Sequence, residues 1–132
     1  MNNPHLSPEA ALLYLPTADG HKIPVRHWSV SQPRAIIHIV HGMAEHSGSY
    51  DEVAAFLNQQ GFAVLAHDHR CHGLSTPEKQ LGHVSKRQNG AGILQDMPLI
   101  HNWISATYNN LPVIILAHSM GSFISQWFVQ NN

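Results

Sequence analysis

The chain has 132 residues, 43% of them hydrophobic and 11% charged, with a formal net charge of -1. That length and apolar share suit one domain with an ordinary core. No Lys/Arg run occurs, which leaves no footprint for nucleic acid or for an anionic membrane; the natural partner is a neutral or weakly polar small molecule. The single cysteine, Cys71, has no internal disulfide partner, which fits a reducing compartment and makes the cytoplasm the expected location. Residues 1–16 show no basic start, long apolar stretch or cleavage site of a signal peptide. No apolar run reaches the roughly 20 residues of a membrane span; peripheral contact with a membrane, through a patch made on folding, stays open.

Ala11 to Leu15 is a short apolar stretch, and the Thr17-Ala18-Asp19-Gly20 that follows carries an Asp-Gly hairpin signal. His21 to Trp28 is the expected returning strand, and Ser29 to Arg34 has the composition of a loop. Ala35 to Val40, Phe62 to Ala66 and Pro112 to Ala117 are continuous apolar runs without alternation, as strands read when both faces of a parallel sheet are covered. Between the first two runs a helix is expected. Ser49 and Glu52 make a capping box, Tyr50, Val53, Ala54 and Leu57 share a face, and Gly61 stands at the C-terminal stop.

Between the second and third runs, Ile93, Met97, Ile100 and Ile104 recur at helical spacing with Trp103 beside them. Pro98 lacks a backbone donor, so the helix is expected to begin there, with Pro98 in its first turn. Met120 to Gln130 reads as a last helix leaning on the sheet, and Trp103, Phe123, Trp127 and Phe128 are expected in the core. A hairpin followed by alternating strands and helices predicts an α/β three-layer sandwich, its sheet mostly parallel with an N-terminal antiparallel hairpin. Residues 1–132 are expected to belong to a single domain with no second one.

The sharpest chemical signal is Ala117-His118-Ser119-Met120-Gly121, placed where an apolar strand gives way to a helical pattern. A serine there can be held on a strained turn with its hydroxyl exposed, small neighbours letting strand and helix pack closely. Alone, the pentapeptide fits a helix-capping serine equally well. Its companion is His41-Gly42-Met43-Ala44-Glu45-His46, directly after the Ala35 to Val40 run. His41 and His46 there are expected to support the loop by hydrogen bonding.

HGMAEHSGSY at His41 to Tyr50, HDHRCHGLS at His67 to Ser75 and AHSMG at Ala117 to Gly121 together resemble the monoacylglycerol lipase and lysophospholipase branch of the α/β-hydrolases. The likeness runs from about Leu12 to Asn132 and covers about half of a complete member. It implies cleavage of a carboxylic ester, of monoglyceride or lysophospholipid type, through an acyl-enzyme on Ser119. It also implies an oxyanion hole built from the backbone N–H groups of Met43 and Met120, with His41, Gly42, His118 and Gly121 supporting it. It implies no metal and no organic cofactor. Three positions depart from the family pattern: Ala117 stands for the first glycine of Gly-x-Ser-x-Gly, Cys71 for a turn glycine, and Ser122 for a second glycine after the serine.

In this family the acid and the histidine follow the serine, and residues 122–132 contain no Asp, Glu or His. The chain is therefore expected to be the N-terminal part of a longer hydrolase, inactive by itself and lacking its C-terminal half, with a bare edge on the Pro112 to Ala117 strand that favours aggregation or a molten state. A second reading is a non-catalytic remnant that acts as an interaction partner through that edge. His67, His69, Cys71 and His72 have the spacing of metal ligands, but they overlie a family turn that holds histidines without metal, and a structural role is expected for them. Asp68 and Arg70 are expected as a structural pair, with Asp96 in a similar role.

Overall fold

Five strands form one mixed sheet in the order β1-β2-β4-β3-β5. β1 (Ala11–Pro16) and β2 (Lys22–Trp28) pair antiparallel, and β2 pairs antiparallel with β4 (Phe62–His67). β4 and β3 (Ala35–Val40) pair parallel, as do β3 and β5 (Val113–Ala117). The computed structural model describes residues 10–42, 45–70, 72–75 and 87–132, with 75 and 87–91 as backbone alone. Thus β3, β4 and β5 are parallel, and the hairpin supplies the antiparallel margin. Its turn closes where Asp19-Gly20 lies: Thr17 N–H donates to His21 O at 2.9 Å, and Gly20 takes φ +87°.

Alternation along the strands divides the core between two layers. Ile37 and Ile39 of β3, Val64 and Ala66 of β4 and Trp28 of β2 face α1 (Asp51–Gln59), which buries Ala54 against them. Ile36, Ala63, Leu65, Ile23 and Val25 face the other way, onto Ile100 and Ile104 of α2 (Arg87–Thr107). Val40 meets Ile93 and Met97 of α2 and Ile124 of α3 (Met120–Asn131) on that same side. The expected three-layer α/β sandwich is the observed fold.

The helices differ from expectation in three places. No capping box forms at Ser49 and Glu52, because the chain enters α1 through a 3-10 turn, Ser47–Tyr50, in which Ser49 N–H donates to His46 O at 3.1 Å. The cap position falls on Tyr50, without a side-chain bond, while Asp51 and Glu52 favour the helix dipole from the first turn. Val53 is 39% exposed and leaves the apolar face assigned to it. α2 does not begin at Pro98 but runs through it. The half-buried proline lies between buried contacts on both sides, Ile93 and Met97 before it and Ile100 and Ile104 after it, and that burial outweighs one lost helical hydrogen bond. Finally, Phe123 is 74% and Trp127 37% exposed, since α3 turns Ile124 and Phe128 toward the sheet and α2 instead.

An ion-pair network, buried at Arg70 and Asp96 and exposed at Asp19, fastens the C-terminal end of β4. Arg70 bonds the Asp96 carboxylate of α2 through Nε and Nη2, both at 3.0 Å, and reaches Asp19 of the hairpin turn at 2.5 Å. Residues 51 and 26 apart in sequence are so joined across the sheet end. Asp68 accepts from the N–H of Ser47 at 2.6 Å and of Leu74 at 2.9 Å, which fixes the entries to both 3-10 turns. Arg70 therefore takes Asp19 and Asp96 as its bidentate partners rather than the adjacent Asp68.

Candidate active site

Ser119 occupies φ 55°, ψ -120°, a backbone conformation that costs a side-chain-bearing residue about 1–3 kcal/mol. Strand β5 ends at Ala117 and α3 begins at Met120, so two residues make the reversal and the serine stands exposed at its tip. The surrounding structure holds this strain in place. His118 N–H donates to Val40 O at 3.1 Å, Gly121 N–H to His118 O at 2.9 Å, and Ser122 N–H to Ser119 O at 2.8 Å. At Gly121 the first turn of α3 presses on the end of β3 so closely that a Cβ there would lie 2.1 Å from Val40 O. Ala117, where the motif usually has glycine, is half-buried against the Val40, Ile93 and Met97 cluster, so its methyl finds apolar contact instead of a clash.

The loop after β3 meets this turn through Gly42. A Cβ on Gly42 would sit 3.1 Å from the Cβ of Ser119, 3.1 Å from His118 O and 3.0 Å from Glu45 Oε1. That one carboxylate oxygen accepts three bonds: from Gly42 N–H at 2.6 Å, from Tyr50 OH at 3.0 Å and from His118 Nδ1 at 3.0 Å. Burial pushes the Glu45 carboxyl up, but the three donors outweigh it and hold the group below its ordinary range. Burial and the bond to Glu45 push the Tyr50 hydroxyl up to about 12, so it stays a donor. Beside the serine turn lies an open cavity of about 410 Å³, with Val53, Leu116 and Ala117 on its apolar side and Glu45, Tyr50 and His118 on its polar side.

Beneath the loop the imidazoles are buried and mutually bonded. His41 donates from Nδ1 to Gly42 O at 2.7 Å and accepts at Nε2 from His69 N–H at 3.0 Å, while His69 returns a bond from Nε2 to His41 O at 2.8 Å. His38 bridges His101 and His67, both at 3.0 Å, in the layer between sheet and α2. Desolvation lowers the pKa of all five, and charge repulsion from neighbouring imidazoles adds to it at His38, His67 and His69; His69 falls to about 3 and His101 to about 4. Burial thus favours the neutral form of each at pH 7, and both ring nitrogens of His41 are engaged by main-chain groups. Among the described residues, no group of three or more His, Cys, Asp or Glu side chains is arranged to hold a metal ion.

The residues singled out in the sequence thus fall into two sets. Ser119, Met120, Gly121, His118, Gly42 and His41 come together at one end of the parallel strands, with Met120 as first residue of α3, where N–H groups lack helical acceptors. Met43 and Cys71 lie outside the described residues. His46 contributes its main-chain oxygen to the 3-10 turn. Glu45 carries a part the sequence reading missed; an acid three residues beyond Gly42 was the available signal.

A strained, exposed serine between a parallel strand and a helix, backed by a glycine loop from the neighbouring strand, is the site architecture of the α/β-hydrolases. The family described as serine aminopeptidase, S33 matches residues 31–132, and the chain belongs to that family of the α/β-hydrolase superfamily. It is 38% identical over 123 residues to a monoglyceride lipase of Rattus norvegicus and 36% identical over 126 residues to that of Homo sapiens, each covering 92% of this chain and 39% of the relative. Among solved structures, an open-form lipase superposes with a TM-score of 0.79 at 24% identity, over 90% of this chain and 39% of that one. A soluble variant of the Saccharomyces cerevisiae monoglyceride lipase gives 0.71 at 21%, over 91% and 38%. The chain spans about 39% of the length of the curated relatives it matches.

Proposed function

We propose that the chain is the nucleophile-bearing part of a serine hydrolase acting on carboxylic esters of monoglyceride or lysophospholipid type. Ser119 Oγ attacks the acyl carbon, the carbonyl oxygen takes up the electron pair, and the alcohol leaves with a proton to give an acyl-enzyme that water then hydrolyses. The N–H of Met120, at the positive end of α3, and that of Met43 receive the oxyanion. The proton acceptor and its orienting acid are expected from sequence beyond Asn132. The observation that carries the reading is the positive φ of an exposed serine between β5 and α3. The monoglyceride lipase names of the relatives support the substrate class.

The test is covalent labelling with a fluorophosphonate, in this chain and in any longer product of the same reading frame. Labelling at Ser119 that disappears in Ser119→Ala supports the proposal; a folded protein that resists the reagent in both forms refutes it. The exposed apolar edge of β5 favours a second reading, a non-catalytic remnant that docks there on another polypeptide. A stable complex with a chain that supplies no histidine to Ser119 would favour it.

A further inference from the structure

We infer that Glu45 is a positioning residue: its carboxylate clamps the loop after β3 to the serine turn and so sets where Ser119 stands. The inference rests on the reading of Ser119 as nucleophile. Three elements converge on one oxygen of Glu45, namely the loop through Gly42 N–H, the entry to α1 through Tyr50 OH, and the last residue before the turn through His118 Nδ1. Bonds to an ionised acceptor are shorter and roughly twice as strong as neutral ones, and the bond from Gly42 is the shortest of the three at 2.6 Å.

The geometry passes the constraint on to the serine. A Cβ on Gly42 would lie 3.1 Å from both His118 O and Ser119 Cβ, tighter than an ordinary contact, so the loop and the turn pack closely at this point. A shift of the Glu45 oxygen moves Gly42 directly and frees the His118 ring, and both changes act on the two sides of Ser119. The side chain of His118 is 69% exposed, so little other than this bond restrains its ring. Loss of the negative charge weakens all three bonds at once. The effect therefore falls on the placement of the nucleophile and not on the capture of a ligand.

The experiment compares the full chain with its Glu45→Gln variant by two readouts. In NMR spectra, the substitution shifts the amide proton of Gly42 upfield and moves that of Ser119 with it; in the unsubstituted chain the same two signals move together as Glu45 is protonated by acid. In fluorophosphonate labelling, the maximal inactivation rate falls roughly ten- to a hundred-fold, the scale of a sub-ångström to ångström misplacement, with an unchanged reagent binding constant. Tyr50→Phe, which removes one donor of three, gives a smaller change of the same kind. Amide signals of Gly42 and Ser119 that ignore both the substitution and the acid titration overturn the inference, as does an unaltered maximal rate in a chain that labels. If neither the unsubstituted chain nor any longer product of the same reading frame labels, the hydrolase reading falls, and the paired amide shifts alone then support or overturn the clamp.

Discussion

Gly121 of α3 lies against Val40 of β3 with so little room that a methyl group on its Cα would stand 2.1 Å from the Val40 carbonyl oxygen and 2.7 Å from that of His41. Both opposing atoms are main chain, so no rotamer change relieves the overlap. Gly121→Ala is expected to lower the unfolding free energy by about 3 kcal/mol or more, by forcing α3 off the end of the sheet. Gly20→Ala is the comparison: its Cβ meets nothing within 4 Å and suffers only the positive φ, which costs about 1–2 kcal/mol. Denaturant unfolding of both variants checks the order, and equal losses would show that contact at Gly121 is not the limiting factor.

The backbone of Ser119 yields a second prediction. Alanine in its place keeps the strain of φ 55°, whereas glycine relieves it. Ser119→Gly is expected to be more stable than Ser119→Ala by about 1 kcal/mol, even though glycine gains more entropy in the unfolded chain. Both should lose covalent labelling. A glycine variant less stable than the alanine variant would mean that the turn carries no strain worth relieving.

The strands and the serine turn were legible because each is written in contiguous residues. The Ala35 to Val40 run is a strand from end to end, and the Asp19-Gly20 turn falls where its chemistry places it. What escaped depends on contacts between distant segments. Pro98 reads as a helix start, yet burial of residues on both sides carries α2 through it. Phe123 and Trp127 read as core, yet α3 offers them no neighbouring layer among the described residues. Arg70 finds Asp19 fifty-one residues away, and Glu45 finds His118 seventy-three residues away. Neither pairing has a signature within a window of local sequence.

Strand β5 lies at the margin of the sheet, with Val113 38%, Ile114 46% and Leu116 46% exposed. From Leu111 to Asn132 the sequence holds no Lys, Arg, Asp or Glu, so this edge lacks the charges that discourage strand pairing between molecules. The 132-residue chain is expected to self-associate, and Ile114→Lys to reduce that association. Ile115→Lys, which faces the opposite way into the cluster of Val40, Met97 and Ile124, should unfold the chain instead. Sedimentation velocity separates the cases; a monomeric parent chain would contradict the prediction.

The buried imidazoles set the response to acid. His38, His67, His69 and His101 have folded-state pKa values pushed below the ordinary 6.5 by burial, His101 to about 4 and His69 to about 3. Between those values and 6.5 the unfolded chain binds protons that the folded chain refuses. Their neutral state is therefore compatible with full stability above about pH 6.5, and stability falls as pH drops below it, by up to about 1.4 kcal/mol per pH unit for each such histidine. His101 stops contributing to this slope near pH 4 and His69 near pH 3. Urea unfolding measured from pH 7.5 to 5 is expected to show uptake of more than one proton on unfolding. His101→Phe, which keeps the ring packed near Phe128, should reduce that uptake. A stability that stays flat across this range would mean that water reaches the imidazoles and that the His38 cluster is not sealed by α2.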